Sequence, residues 1–92
     1  MKNDSQTDLL FEAILSLKDK DECRAFFLDL CTFTELKAMA QRIEVAQLLD
    51  EGLIYSDILE RTGTSSATIS RINRALQYGS GGYQIVLERV KK

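Results

Sequence analysis

Residues 66 to 78 carry side chains suited to contacts with base-pair edges. In a helix, where each residue is turned by about 100°, Ile69, Ile72 and Leu76 fall on one side. Small side chains allow close approach to a groove, a methyl group can meet a thymine methyl, and arginine and asparagine suit guanine and adenine. The other sides hold no carboxylate, and Gln77 lies among their polar residues. We predict that they contact duplex DNA through Ser66, Ala67, Thr68, Ser70, Arg71, Asn73 and Arg74.

A short helix and a tight turn come before this segment. The short helix is expected over residues 56–61, with Ser56 as its cap and with Ile58 and Leu59 as its apolar pair. Gly63 then breaks it, and Ser65 or Ser66 begins the second helix, so Ser65 is counted among the DNA-contacting residues. Residues 55–78 therefore predict a helix-turn-helix unit. The alternative is a helical hairpin whose polar face meets only water.

Charge is segregated along the chain. The formal net charge of −2 argues against a nucleic-acid partner when it is taken as a whole. Residues 1–60, however, hold 13 acidic and 6 basic residues, a net charge of −7, whereas residues 61–92 hold one acidic and six basic residues, a net charge of +5. A positive surface can therefore exist locally on an acidic protein. Chance clustering is the alternative explanation.

Enzymatic and metal chemistry find little support in the composition. The chain has no histidine and two cysteines, Cys23 and Cys31. We expect both cysteines to be reduced thiols, because two in a chain without an export signal do not form a disulfide framework. The commonest general base is missing, and a zinc site would need carboxylates for half its ligands. We therefore expect no enzyme, no metal and no cofactor.

Helical periodicity runs through the 92 residues, which contain no proline and no alternating apolar run typical of a strand. In the second helix Cys23 is expected in the core, on a stripe with Phe26, Phe27 and Leu30. Four helices are expected besides the pair at 55–78. The first covers residues 8–18, the second begins at Asp19, which caps it together with Glu22, and the last covers residues 83–91. The third covers residues 32–51, begins with a capping box of Thr32 and Glu35, and is followed by Gly52.

The third helix predicts a dimer. Its apolar residues, from Leu36 to Leu49, reach around much of the helix circumference instead of forming one stripe. Such a helix must be covered on several sides, and a second copy of the chain is the simplest supplier of that cover. We expect a single domain over residues 1–92, in which 8–51 form a dimerisation core and 83–91 join it.

The amino terminus, MKNDSQTDLL, is polar and lacks the apolar stretch of an export signal. No window approaches the roughly 20 apolar residues of a membrane span. We therefore expect a cytoplasmic protein without a membrane partner.

Two stretches of the sequence resemble a known family. The segment ELKAMAQRIEVAQLLDEG, followed by TGTSSATISRINRAL, resembles the bacterial tryptophan repressor superfamily, and most closely its YerC/YecD-type branch. The resemblance extends to EAILSLKDKDECRAFFLDLCT near the amino terminus and YGSGGYQIVLERV near the carboxyl terminus. It implies an all-α, six-helix fold in an intertwined homodimer. The fourth and fifth helices would read a roughly palindromic operator in double-stranded DNA.

The resemblance also implies a ligand pocket. The two arginines that hold the tryptophan corepressor in the family match Arg42 and Arg71, and a threonine near that pocket matches Thr32. The residue after the second arginine is glycine in the repressor and Ile72 here, so we expect Ile72 to block the indole ring. A different small effector is an alternative, and Arg42 can instead be a structural ion-pair or cap residue.

The sequence is consistent with two functions. The first is a sequence-specific DNA-binding transcription regulator, a repressor, that does not respond to tryptophan. On the short helix, Ser56 and Leu59 stand where the repressor has basic or amide side chains, so contacts with the DNA backbone should be weaker there. The alternative is a protein-interaction adaptor on the same scaffold, which the acidic first half of the chain allows.

Overall fold

The computed structural model describes residues 4–91. Those residues contain helices and no strand, so the all-α prediction is confirmed. None of these helices is long and apolar enough to cross a membrane. The six helices are α1 (Ser5–Leu15), α2 (Lys20–Leu30), α3 (Phe33–Asp50), α4 (Tyr55–Thr62), α5 (Ser66–Tyr78) and α6 (Gly82–Val90).

Local capping explains where the first helices begin. Asp4 caps α1 by accepting a hydrogen bond from the Thr7 backbone N–H at 2.7 Å, and this bond lowers the pKa of its carboxyl. The helix therefore starts three residues before the predicted residue 8 and ends at Leu15, before the predicted residue 18. Asp19 caps α2 as predicted, because its Oδ1 accepts from the Glu22 N–H at 2.9 Å.

Both predicted ends of α3 are present. Thr32 Oγ1 accepts from the Glu35 N–H at 3.1 Å, and Glu35 Oε1 accepts from the Thr32 N–H at 2.8 Å, which completes the capping box. At the other end Gly52 has a φ of 93°. The Leu53 N–H donates to the Leu48 carbonyl at 3.1 Å, the bond that closes a helix with a left-handed residue after its end.

The chain divides into two compact units, one ending at Leu36 and the other beginning at Lys37. In the first unit, α1 and α2 contain no buried residue. Cys23, expected in the core, is half-buried together with Phe26 and Phe27, and Leu30 is exposed. The stripe on α2 is therefore only partly covered within one chain.

The second unit has a buried core built from α3 to α6. Tyr83 and two leucines, Leu49 and Leu53, pack against this core from its edge. Gln84 also ties α6 to α5, since its Nε2 donates to the Leu76 carbonyl at 3.2 Å. The core consists of Val45, Ala46, Leu48, Ile58, Ile69, Ile72, Leu76 and Leu87.

The start of α4 differs from the prediction. Ser56 was expected to cap this helix, and that prediction is wrong, because α4 begins at Tyr55 and its N-cap is Ile54, which makes no side-chain cap bond. The Ile54 carbonyl already accepts from the Asp57 and Ile58 N–H groups. The end of α4 is as expected, with Gly63 at a φ of 71°.

Candidate nucleic-acid interface

Helix α5 has one buried side and one polar, exposed side. Ile69, Ile72 and Leu76 are buried in the core of the second unit, as the periodicity predicted. This packing turns the opposite side of α5 outward. The exposed side chains include Ser66, Ala67, Ser70, Arg71, Arg74 and Gln77, and α5 contains no carboxylate.

The hydroxyl groups at the start of α5 are not equally available. Ser65 caps the helix, since its Oγ accepts from the Thr68 N–H at 3.2 Å. The Ser65 hydroxyl also lies 3.0 Å from Thr68 Oγ1 and donates to it, and Thr68 itself is half-buried. The hydroxyls of Ser65 and Thr68 therefore hold the first turn of α5 in place, although Ser65 itself is exposed, as Ser66 and Ser70 are.

The two arginines are free to meet a ligand. Arg71 and Arg74 are exposed, and neither forms a salt bridge with any residue between 4 and 91. Asn73 is half-buried and lies nearer the core than the arginines do. Asn73 could therefore contact adenine only from the edge of the exposed face, whereas the two arginines lie near the middle of that face.

Tyr78 adds to this surface and was not singled out in the sequence. It is the last residue of α5 and is 85% exposed. It stands four residues after Arg74 and seven after Arg71, the spacing that places side chains on one helix face. Its phenolic hydroxyl can donate to a phosphate oxygen. The signal in the sequence was a large aromatic residue at helical spacing from two arginines.

A hydrogen-bond network holds the turn between α4 and α5. Thr62 Oγ1 lies 2.7 Å from the Ile58 carbonyl and 2.8 Å from Thr64 Oγ1. A hydroxyl has one proton and a carbonyl can only accept, so Thr62 donates to Ile58 and accepts from Thr64. The Thr64 N–H also donates to Thr62 Oγ1, at 3.2 Å, and Thr64 is buried. This network gives the turn a defined geometry.

The residues that the resemblance assigns to a ligand pocket differ in their exposure and in their hydrogen bonds. Arg42 on α3 and Arg71 on α5 are both exposed, and no salt bridge involves Arg42 within the described part of the chain. Thr32 belongs to the first unit, where its hydroxyl is used in the capping box of α3. Ile72 is 4% exposed and packs in the core.

The described residues offer little for metal or thiol chemistry. Between residues 4 and 91, no group of three or more histidine, cysteine or carboxylate side chains is placed to hold a metal ion. Cys23 and Cys31 are not joined in a disulfide, and both are half-buried.

The similarity to known proteins extends over nearly the whole chain. A family model described as "Trp repressor protein" matches residues 5–91. The chain is 53% identical over 87 residues to the uncharacterized protein YerC of Bacillus subtilis strain 168, covering 95% of this chain and 84% of YerC.

Two solved structures have the same fold. A TrpR-like protein from Eubacterium eligens superposes with a TM-score of 0.92 at 52% identity, covering 96% of this chain and 91% of that one. A candidate Trp repressor from Staphylococcus aureus superposes with a TM-score of 0.90 at 42% identity, covering 95% and 87%. The family is one of DNA-binding regulators and not of enzymes. The chain therefore belongs to the Trp repressor family, in its YerC-type branch.

Proposed function

We propose that the protein is a sequence-specific transcription regulator, a repressor, that reads duplex DNA through α5. The observation that carries this proposal is the polar, carboxylate-free face of α5, opposite a side that is buried in the core. A buried side fixes the helix on its scaffold, and a small, polar exposed side lets it enter the major groove. An ordinary solvated helix would instead mix glutamate and lysine on its exposed face.

The exposed residues of the polar face of α5 are suited to different kinds of DNA contact. Ser66, Ala67 and Ser70 allow close approach near the amino end of the helix, where recognition helices meet base edges. Arg71 can reach a guanine through two hydrogen bonds, which specify sequence. Arg74 and Tyr78 lie further along the helix and are suited to phosphates, which fix position without reading sequence.

The proposal includes a homodimer. Within the first unit, α1 and α2 bury no residue, yet they carry large apolar side chains such as Leu15, which is 83% exposed. A second copy of the chain would cover this apolar surface and would present two α5 helices on a two-fold axis. Sedimentation should therefore give twice the 10.4 kDa mass of one chain at micromolar concentration. A mass equal to that of one chain would contradict the proposed homodimer.

DNA binding should depend steeply on salt. Contacts with phosphates release condensed counterions, so the logarithm of the affinity falls linearly with the logarithm of the salt concentration. A protein interface depends on salt much less. Titration of a labelled duplex between about 50 and 200 mM salt therefore separates the regulator from the adaptor. Absence of duplex binding even at the lowest of these salt concentrations would favour the adaptor, which docks on another protein.

Tryptophan is not expected to be the effector. Ile72 replaces the glycine that makes room for the indole ring in the repressor, and its side chain is buried in the core of the second unit. Calorimetry with millimolar L-tryptophan is therefore expected to show no saturable heat. Arg42→Ala is the control, because Arg42 matches one of the arginines that hold the corepressor. A saturable heat that disappears in Arg42→Ala would contradict this prediction.

A further inference from the structure

A hydrogen bond connects α3 to the turn between α4 and α5. Gln41 Nε2 donates to the Thr62 carbonyl at 3.1 Å in a partly buried setting, across 21 positions of sequence. Thr62 is the last residue of α4, so its carbonyl is one of those that a helix end leaves without a partner in the helix. The amide of Gln41 therefore caps α4 from another element of the second unit.

Gln41 extends the contact face of α3 by one turn. It precedes Val45 by four residues and Leu48 by seven, the spacing that places side chains on one helix face. Val45 and Leu48 are buried in the core that includes Ile58 of α4 and Ile69 of α5. Apolar burial is non-directional, whereas a hydrogen bond requires a particular distance and angle. Gln41 thus adds a directional constraint at the end of an apolar contact.

The constraint reaches the start of α5 through the turn. Thr62 is bonded to Thr64 through both the hydroxyl and the backbone N–H of Thr64. Thr64 directly precedes Ser65, the N-cap of α5. The hydrogen bond from Gln41, the tether, therefore restrains the short segment from Thr62 to Ser65, which is itself held by hydrogen bonds and leads into the first turn of α5.

We propose that Gln41 is a positioning residue, whose side-chain amide ties the α4–α5 turn to α3 and so sets the orientation in which α5 meets its ligand. The consequence for DNA binding rests on the function proposed above. The tether itself is a property of the free protein and can be measured without DNA.

Hydrogen exchange tests the tether in the full chain. Gln41→Met keeps the length of the side chain and removes its donor, and Gln47→Met is the matched control, because Gln47 is an exposed glutamine on the same helix. In Gln41→Met we expect exchange about five- to tenfold faster at amides bonded in and near the turn, with no change in α6 or in Gln47→Met. The amides to follow are those of Gly63, Thr64, Thr68 and Ile69.

Two exchange results would overturn the proposal. Unchanged exchange at these four amides in Gln41→Met would show that the hydrogen bond does not hold the turn. Equal acceleration in α6 would show a general loss of stability instead of a local release.

A second measurement links the tether to function. A duplex selected by the wild-type protein should bind Gln41→Met about five- to tenfold more weakly, with the same slope of log affinity against log salt, because no phosphate contact is removed. Equal affinity of Gln41→Met and wild type would overturn the positioning role. If the exchange differs as expected but the wild type selects no duplex, the tether stands and the proposed function fails.

Discussion

Replacing Arg71 with alanine is expected to cost about 1 to 3 kcal/mol of DNA-binding free energy for each copy of α5 that meets the duplex. Arg71 is exposed on the polar face of α5 and is not engaged in a salt bridge with any residue from 4 to 91. Its guanidinium is therefore free to form two hydrogen bonds to one guanine, the commonest specific contact between proteins and base edges. Fluorescence anisotropy with a labelled duplex measures the loss.

Arg89→Ala is the matched control for Arg71→Ala. It removes the same charge from an exposed position on α6, outside the polar face of α5. We expect a small effect from Arg89→Ala. Relaxed preference at one base position in Arg71→Ala would identify a base contact, and a uniform loss across sequences a phosphate contact. Equal affinity in wild type and Arg71→Ala would contradict the placement of Arg71 at the interface.

Replacing Ile69 with alanine is expected to lower the free energy of unfolding by about 2 to 5 kcal/mol. Ile69 is completely buried, in a core that holds α5 to α3, α4 and α6. Truncation removes buried methyl groups and leaves a cavity that the surrounding helices fill only in part. Urea unfolding followed by circular dichroism measures the change.

Ile54→Ala makes the same truncation at an isoleucine whose side chain is 63% exposed. We expect it to change the free energy of unfolding by less than about 1 kcal/mol. An equal loss of stability in the two variants would show that α5 is not anchored through the core described here.

The local elements of the fold could be predicted because their signals are local. The capping box of Thr32 and Glu35 spans four residues, and Gly52 and Gly63 both adopt the left-handed conformation expected after a helix. The apolar period of α5 likewise identified its buried side. Such signals depend on neighbours in sequence and are little affected by the rest of the chain.

Features that depend on tertiary packing were harder to predict. Ser56 looked like a cap because of its residue type, but α4 begins one residue earlier, where the Ile54 carbonyl receives the first helical bonds. The apolar stripe of α2 predicted a core position for Cys23, which is half-buried in one chain. Periodicity shows which side of a helix is apolar, but it does not show what covers that side.

The sequence predicted the residue types of the candidate site more fully than it predicted their arrangement in space. The exposed face of α5 contains Ser66, Ala67, Ser70, Arg71 and Arg74, all named from the sequence. The hydrogen bond from Gln41 to Thr62 joins residues 21 positions apart, and no local sequence pattern predicts such a pair. The exposure of Tyr78 likewise follows from how α5 packs in the second unit.

The most direct test of DNA reading by α5 is selection from a random duplex pool with the purified protein, at near-physiological salt and without added ligand. Sequencing is expected to show enrichment of a two-fold symmetric site, which would identify the operator of a ligand-independent regulator. Enrichment only in the presence of a metabolite extract would mean that a small effector is required. Failure to enrich any site under either condition would contradict sequence-specific DNA binding and favour the adaptor.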